Sequence, residues 1–149
     1  MTLRTRLTDE MKSAMKARET LKLSAIRLIL AALKNREIEQ KQKQELDDQG
    51  IIEVIATLVK QRKESIKVYS DAGRTDLAAK EEAELTCLLD FLPQQLTREE
   101  IEALVVKAVA ESGAQGPKEM GKVMKLLMPQ VAGRADGKLV NDIVREKLA

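Results

Sequence analysis

Basic side chains recur at helical spacing near the end of the chain. Lys118, Lys122 and Lys125 follow one another at four- and three-residue steps, so on a helix they share one face. Arg134 lies in the turn that follows, and Lys138 begins the next helical pattern. Lys and Arg in such an array suit contacts with phosphates, which position a nucleic acid without reading its sequence. We predict that these five residues bind RNA; the alternative is that they only solvate exposed helix faces.

Two glycines and an aspartate would shape the turn between these helices. Gly133 is predicted to take a left-handed conformation and Asp136 to cap the last helix, while Gly137 would allow close helix packing. Packing alone could also explain all three residues.

Aromatic residues are nearly absent, since Tyr69 and Phe91 are the only two. No aromatic side chain in the C-terminal part can stack on a base, which disfavours recognition of single strands. Structured RNA recognised by its shape is the better fit.

The residue types that usually carry catalysis are missing. There is no histidine, and the single cysteine, Cys87, lies in a leucine-rich stretch where it is predicted to pack in the core. A Gly-rich phosphate loop is also absent. We therefore predict no catalytic residue, no metal and no cofactor.

Two further charged groups are predicted to be solvated helix faces. The acidic group is not expected to bind metal, and the basic group, mixed with glutamates, is expected to form ion pairs, with RNA contact as the weaker alternative. The acidic group is Asp76, Glu81, Glu82 and Glu84, and the basic group is Lys34, Arg36, Lys41 and Lys43.

Leu, Ile, Val, Ala and Met must build the core, and the few glycines and prolines leave long uninterrupted segments. This composition predicts an all-α protein. Apolar residues at three- and four-residue steps predict helices over about 2–17, 20–46, 51–71, 75–91, 97–111, 117–131 and 137–148.

Pro93 marks the predicted domain boundary, because it disfavours helical geometry in the residue before it. Thr97 and Glu100 then form a capping-box pattern that starts the next helix. We predict a four-helix N-terminal domain over 1–92 and a small three-helix tail over 97–149.

The N-terminal residues contain no apolar run, and no apolar segment is long enough to span a bilayer. These features predict a cytoplasmic protein without a membrane partner. Net charge is only +2, but residues 118–147 carry seven Lys or Arg against four Asp or Glu. Residues 1–46 carry eleven against six and residues 71–102 carry three against nine, so basic ends flank an acidic middle.

The whole chain, and most specifically residues 120–148, resembles the GatB/YqeY family. The matching residues are Gly121-Lys122-Val123-Met124-Lys125, Pro129, Gly133-Arg134-Ala135-Asp136-Gly137 and Val140. The resemblance implies an all-helical N-terminal domain followed by a three-helix tail, as in stand-alone YqeY-like proteins. In the related tRNA-dependent amidotransferase B subunit, such a tail contributes to tRNA binding, while the chemistry occurs on other domains and subunits.

These observations give three functional hypotheses. The first is a non-catalytic tRNA- or RNA-binding protein or adaptor, an accessory to tRNA-dependent amidation. The second is a module that docks on an amidotransferase or other partner protein through apolar residues around Met120, Met124 and Met128. The third is a carbon–nitrogen ligase with glutamine as amido-N-donor, which rests on the family label alone.

Overall fold

A computed structural model describes residues 2–40 and 44–149, and in these residues all regular structure is helical. The all-α prediction is confirmed. The helices are α1 (Leu3–Ala17), α2 (Thr20–Glu39), α3 (Asp48–Asp71), α4 (Thr75–Leu89), α5 (Arg98–Ser112), α6 (Met120–Val131) and α7 (Gly137–Leu148), with a 3₁₀ turn (Pro117–Glu119) before α6. Along the described ranges, no helix is long and apolar enough to cross a membrane.

The chain divides into two compact units, Met1–Leu92 and Pro93–Ala149. The first unit holds α1 to α4, and its aliphatic core includes Leu7, Ile26, Ile55 and Leu88, all fully buried. Helices α3 and α4 pack along each other in this unit. Burial of these side chains from water is the main force that holds the four helices together.

The connection between α2 and α3 differs from the prediction. Helix α2 ends at Glu39, and the described residues 44–47 are not helical, so the predicted extension to residue 46 is wrong. The Glu37 carboxylate accepts hydrogen bonds from the Leu46 amide (2.7 Å) and from the Arg4 guanidinium (2.8 Å), which holds residue 46 beside α2. Of the predicted basic group on this helix, Lys41 and Lys43 lie outside the described residues.

Helix α3 also begins earlier than predicted. The Asp47 carboxylate accepts a hydrogen bond from the Gly50 amide (2.8 Å) and caps the helix, so residues 48–50 form its first turn and not a loop. A capping aspartate and a loop aspartate look alike in sequence, and the tertiary context decides between them.

The predicted acidic face of α4 is only partly solvated. Glu81 and Glu84 retain 17% and 16% of their side-chain exposure, and both carboxylates contact the guanidinium of Arg62 on α3. The interpretation of these two residues as a solvated face is therefore wrong. Asp76 and Glu82 are exposed, as predicted.

The second unit holds α5, α6 and α7 around a separate aliphatic core that includes Ile101, Leu127 and Ile143. The predicted capping box is confirmed. The Thr97 hydroxyl accepts a hydrogen bond from the Glu100 amide, and the Glu100 carboxylate accepts one from the Thr97 amide, both at 3.2 Å. These bonds satisfy amide groups that the helix itself cannot pair.

Candidate nucleic-acid interface

Helix α6 presents its lysines to solvent because its other face is buried. Val123, Leu127 and Val131 recur every four residues and are buried in the core of the second unit. Lys122 and Lys125 therefore lie on the exposed side of the helix, and Lys118 is exposed in the 3₁₀ turn before it. We call Lys118, Lys122 and Lys125 the α6 ridge.

The α6 ridge has few carboxylate partners. Lys122 lies 3.7 Å from Glu119 and is 65% exposed, so this ion pair is weak. Within the second unit, all of which the structure describes, neither Lys118 nor Lys125 has a carboxylate within 4.0 Å. The positive charge of the ridge is therefore available to a ligand.

The turn between α6 and α7 is built largely by its backbone. Gly133 has a φ of 73°, a left-handed conformation that glycine adopts without steric cost. The amides of Arg134 and Ala135 both donate to the Val131 carbonyl, at 2.9 and 3.1 Å. Asp136 then caps α7 by accepting a hydrogen bond from the Lys138 amide at 3.1 Å, as predicted.

Residues just before α5 hold this turn in place. The Leu96 amide donates to the Arg134 carbonyl (2.8 Å), and the Gln95 side-chain amide donates to the Gly133 carbonyl (2.8 Å). The Nε of Arg134 donates a hydrogen bond to the Gln94 carbonyl at 3.4 Å. Sequence reasoning missed these contacts, since nothing in the spacing of Gln94 and Gln95 links them to residues almost forty positions away.

Arg134 therefore has a structural role that sequence reasoning did not assign to it. Its side chain is half-buried, and its Nε is used to hold the segment before α5. The terminal nitrogens of a guanidinium are separate donors, so the same side chain can still offer them to a phosphate.

The five predicted binding residues do not form a single cluster. Lys118 precedes α6, whereas Arg134 and Lys138 follow it, so the length of the helix separates them by roughly 20 Å at about 1.5 Å per residue. The turn therefore does not bring Lys118 and Lys122 together with Arg134 and Lys138. The structure instead gives a ridge along α6 and a second basic group, Arg134 and Lys138, at the turn.

Gly137 does not have the role that we predicted. A Cβ atom built on it would meet nothing within 4 Å, so close helix packing does not require glycine at this position. Gly137 is simply the first residue of α7.

The two glycines should therefore respond in opposite ways to alanine. We expect Gly133→Ala to destabilise the second unit by about 1 kcal/mol, because alanine is strained at positive φ. Gly137→Ala should be neutral or stabilising by up to about 0.5 kcal/mol. Alanine has a higher helix propensity than glycine and lowers the conformational entropy of the unfolded chain. Urea denaturation followed by circular dichroism measures both, and equal losses of stability would contradict this assignment.

The apolar docking surface predicted around three methionines is reduced in the structure. Met120 and Met124 are half-buried and pack against the core of the second unit. Met128 is 44% exposed, and Leu126, which was not predicted, is 39% exposed on the same helix. The exposed apolar part of α6 is therefore Leu126 and Met128.

The structure does not activate Cys87 as a nucleophile. Burial raises the pKa of the Cys87 thiol, as does the nearby Asp90 carboxylate, so the reactive thiolate is disfavoured. In the described part of the chain, no three potential metal ligands come together.

In the second unit, Arg98 on α5 donates a hydrogen bond to Glu146 on α7 and so ties the two helices together. Hydrogen bonding to Glu102 and the charge of Glu146 raise the pKa of Arg98.

The chain is similar along its whole length to known proteins. A family model described as Yqey-like protein matches residues 4–148. The protein named "Altered inheritance of mitochondria protein 41, mitochondrial" from Kluyveromyces lactis is 34% identical over 135 residues, covering 89% of this chain and 68% of that protein. The protein of that name from Saccharomyces cerevisiae (strain YJM789) is 30% identical over 150 residues, covering 94% of this chain and 80% of its own length.

Proposed function

Since the chain belongs to the YqeY-like family, we propose that it is a non-catalytic protein that binds structured RNA, tRNA above all, as an adaptor or accessory to tRNA-dependent amidation. The α6 ridge carries this proposal. Its three lysines are exposed, and only Lys122 has a carboxylate nearby. Long cationic side chains at helical spacing suit the phosphate backbone of a folded RNA.

Arg134 and Lys138 would add phosphate contacts at the other end of α6. Lys138 is exposed at the first turn of α7. Gly133 and Asp136 hold the turn in shape, so their contribution to binding is indirect.

Binding of bulk tRNA to the full chain at several salt concentrations tests the proposal. The test variant is K118Q/K122Q/K125Q. The matched control is K107Q/R145Q/K147Q, which removes the same charge from exposed residues elsewhere in the second unit. We expect the plot of log affinity against log salt to become shallower in the test variant, by about two to three units of slope. Each lost phosphate contact removes roughly one unit.

The control variant should keep most of the slope, and a duplex DNA of similar length should bind less well than tRNA. Equal losses in the test and control variants would mean that bulk charge, not the α6 ridge, attracts the RNA. No binding of tRNA to the wild-type chain at low salt would remove the proposal.

The second candidate function is docking on a partner protein, and the exposure of Leu126 and Met128 favours it. Such binding should depend on these two side chains and respond weakly to salt. A ligase activity has only the family label behind it, and the absence of histidine and the raised pKa of Cys87 oppose it. Assay of glutamine hydrolysis by the isolated chain tests this third reading.

We propose that the protein is located in the cytoplasm. The names of the two relatives assign those proteins to mitochondria. The location of the tagged chain in cells would decide between the two, and RNA binding does not depend on the answer, because both compartments contain tRNA.

A further inference from the structure

A second row of exposed lysines lies on α3, in the first unit. Lys60, Lys63 and Lys67 follow one another at three- and four-residue steps, so they occupy one narrow face of the helix, with neighbours about 5 to 6 Å apart. All three side chains are exposed. We call these residues the α3 ridge.

The packing of α3 fixes the direction in which this ridge points. Ile55 and Val59 are buried in the core of the first unit, and Arg62 contacts Glu81 and Glu84 (2.7 Å) on α4. The charge of Arg62 is thus neutralised by ion pairs within the first unit. At about 100° per residue, the α3 ridge lies on a flank of the helix beside these contacts, and its three lysines are exposed to solvent.

The ridge carries a local surplus of positive charge. Glu64 and Asp71 are its nearest acidic neighbours along α3, yet neither lies within 4.0 Å of a ridge lysine, and among the described residues no ridge lysine forms an ion pair. An exposed cationic row without partners is complementary to a polyanion.

We propose that the α3 ridge is a second phosphate-binding surface for the same structured RNA. This inference rests on the proposed function and extends it to the first unit. The α3 ridge repeats the seven-residue span of the α6 ridge, about 10 Å along a helix, and it likewise has no aromatic residue within its row. Its ligand is therefore the sugar–phosphate backbone and not an unstacked base.

A protein partner would use this face differently. Val68 follows Lys67 on α3 and is 65% exposed, so a protein that buried the exposed apolar surface of this helix would cover that side chain. Phosphate contacts do not require it. Val68→Ser therefore separates the two occupants.

The test uses the full chain, bulk tRNA and a salt titration. The test variant is K60Q/K63Q/K67Q, and the control is K12Q/K16Q/K80Q, three exposed lysines on other helices of the first unit. We expect the test variant to bind roughly tenfold more weakly or worse, with a salt slope lower by about two to three. The control and Val68→Ser should each change affinity by less than about twofold. All substituted residues are exposed, and circular dichroism checks that each variant folds.

Three outcomes overturn the inference. In the first, the α3 variant matches its control while K118Q/K122Q/K125Q loses affinity, which leaves the proposed function intact. In the second, Val68→Ser weakens tRNA binding as much as the lysine variant, which shows that the face is not a phosphate surface. In the third, wild type fails to bind tRNA, and then the proposed function falls too.

Discussion

Ile143→Ala should unfold the second unit while the first remains folded. The Ile143 side chain is fully buried in the core that α5, α6 and α7 share. Removing it costs about 2 to 5 kcal/mol, because apolar contacts are lost and a cavity remains. A three-helix unit of this size has only a few kcal/mol of stability, so the loss is comparable to the total.

The chain provides a reporter for each part of this prediction. Tyr69 is the single tyrosine, there is no tryptophan, and both Tyr69 and Phe91 belong to the first unit. Tyrosine fluorescence therefore follows the first unit, whereas circular dichroism follows all helices. We expect Ile143→Ala to lower the helical signal at low denaturant and to leave the fluorescence transition in place.

Ile38→Ala is the matched control, because the same side chain is removed at a site that is 65% exposed. It should cost less than about 0.5 kcal/mol. If Ile143→Ala moves the fluorescence transition as much as the helical signal, the two units unfold together and this prediction is wrong.

Arg62→Ala should destabilise the first unit by about 1 to 3 kcal/mol. The substitution leaves the Glu81 and Glu84 carboxylates close together, mostly buried and without their cation. Loss of one partner from a fully buried pair costs more, but the remaining exposure of 17% and 16% lets water reach these carboxylates and lowers the cost.

Two further variants test the cause of this loss. Lys63→Ala removes a neighbouring charge that forms no ion pair in the described residues, and it should be nearly neutral by tyrosine fluorescence in urea. Adding E81Q/E84Q to the Arg62→Ala background should recover part of the stability, because neutral amides do not repel each other. No recovery would mean that Arg62 acts through the packing of its aliphatic stem.

Features that depend on neighbours in sequence were predicted well. Helical periodicity predicted the α-helices that the described residues form, and the caps at Thr97 and Asp136 are where the residue types indicated. Helix periodicity and capping depend on residues within four positions of one another, so the sequence contains what is needed. The error in α2 occurs where Glu37 bonds to the Leu46 amide, a contact outside that range. The error in α3 concerns a local cap, Asp47 to the Gly50 amide, which we predicted as a loop.

The candidate sites were predicted less completely than the helices. The spacing of the α6 ridge was predicted from the sequence. Its separation from Arg134 was not, because it depends on the turn lying at the far end of α6. The α3 ridge was not recognised at all, because Lys60, Lys63 and Lys67 stand beside Arg62 in a stretch where every charge looks alike.

The sequence by itself determined that this protein is all-helical, that Thr97 and Asp136 cap their helices and that it contains no histidine. Only the tertiary structure decided which charged side chains have partners within the protein. Arg62 forms ion pairs with Glu81 and Glu84, and Glu37 forms one with Arg4. One nitrogen of Arg134 donates a hydrogen bond to the Gln94 carbonyl. The physical reason is that an ion pair depends on how helices are rotated and packed against each other. That arrangement arises from the burial of apolar side chains distant in sequence, which no local pattern records.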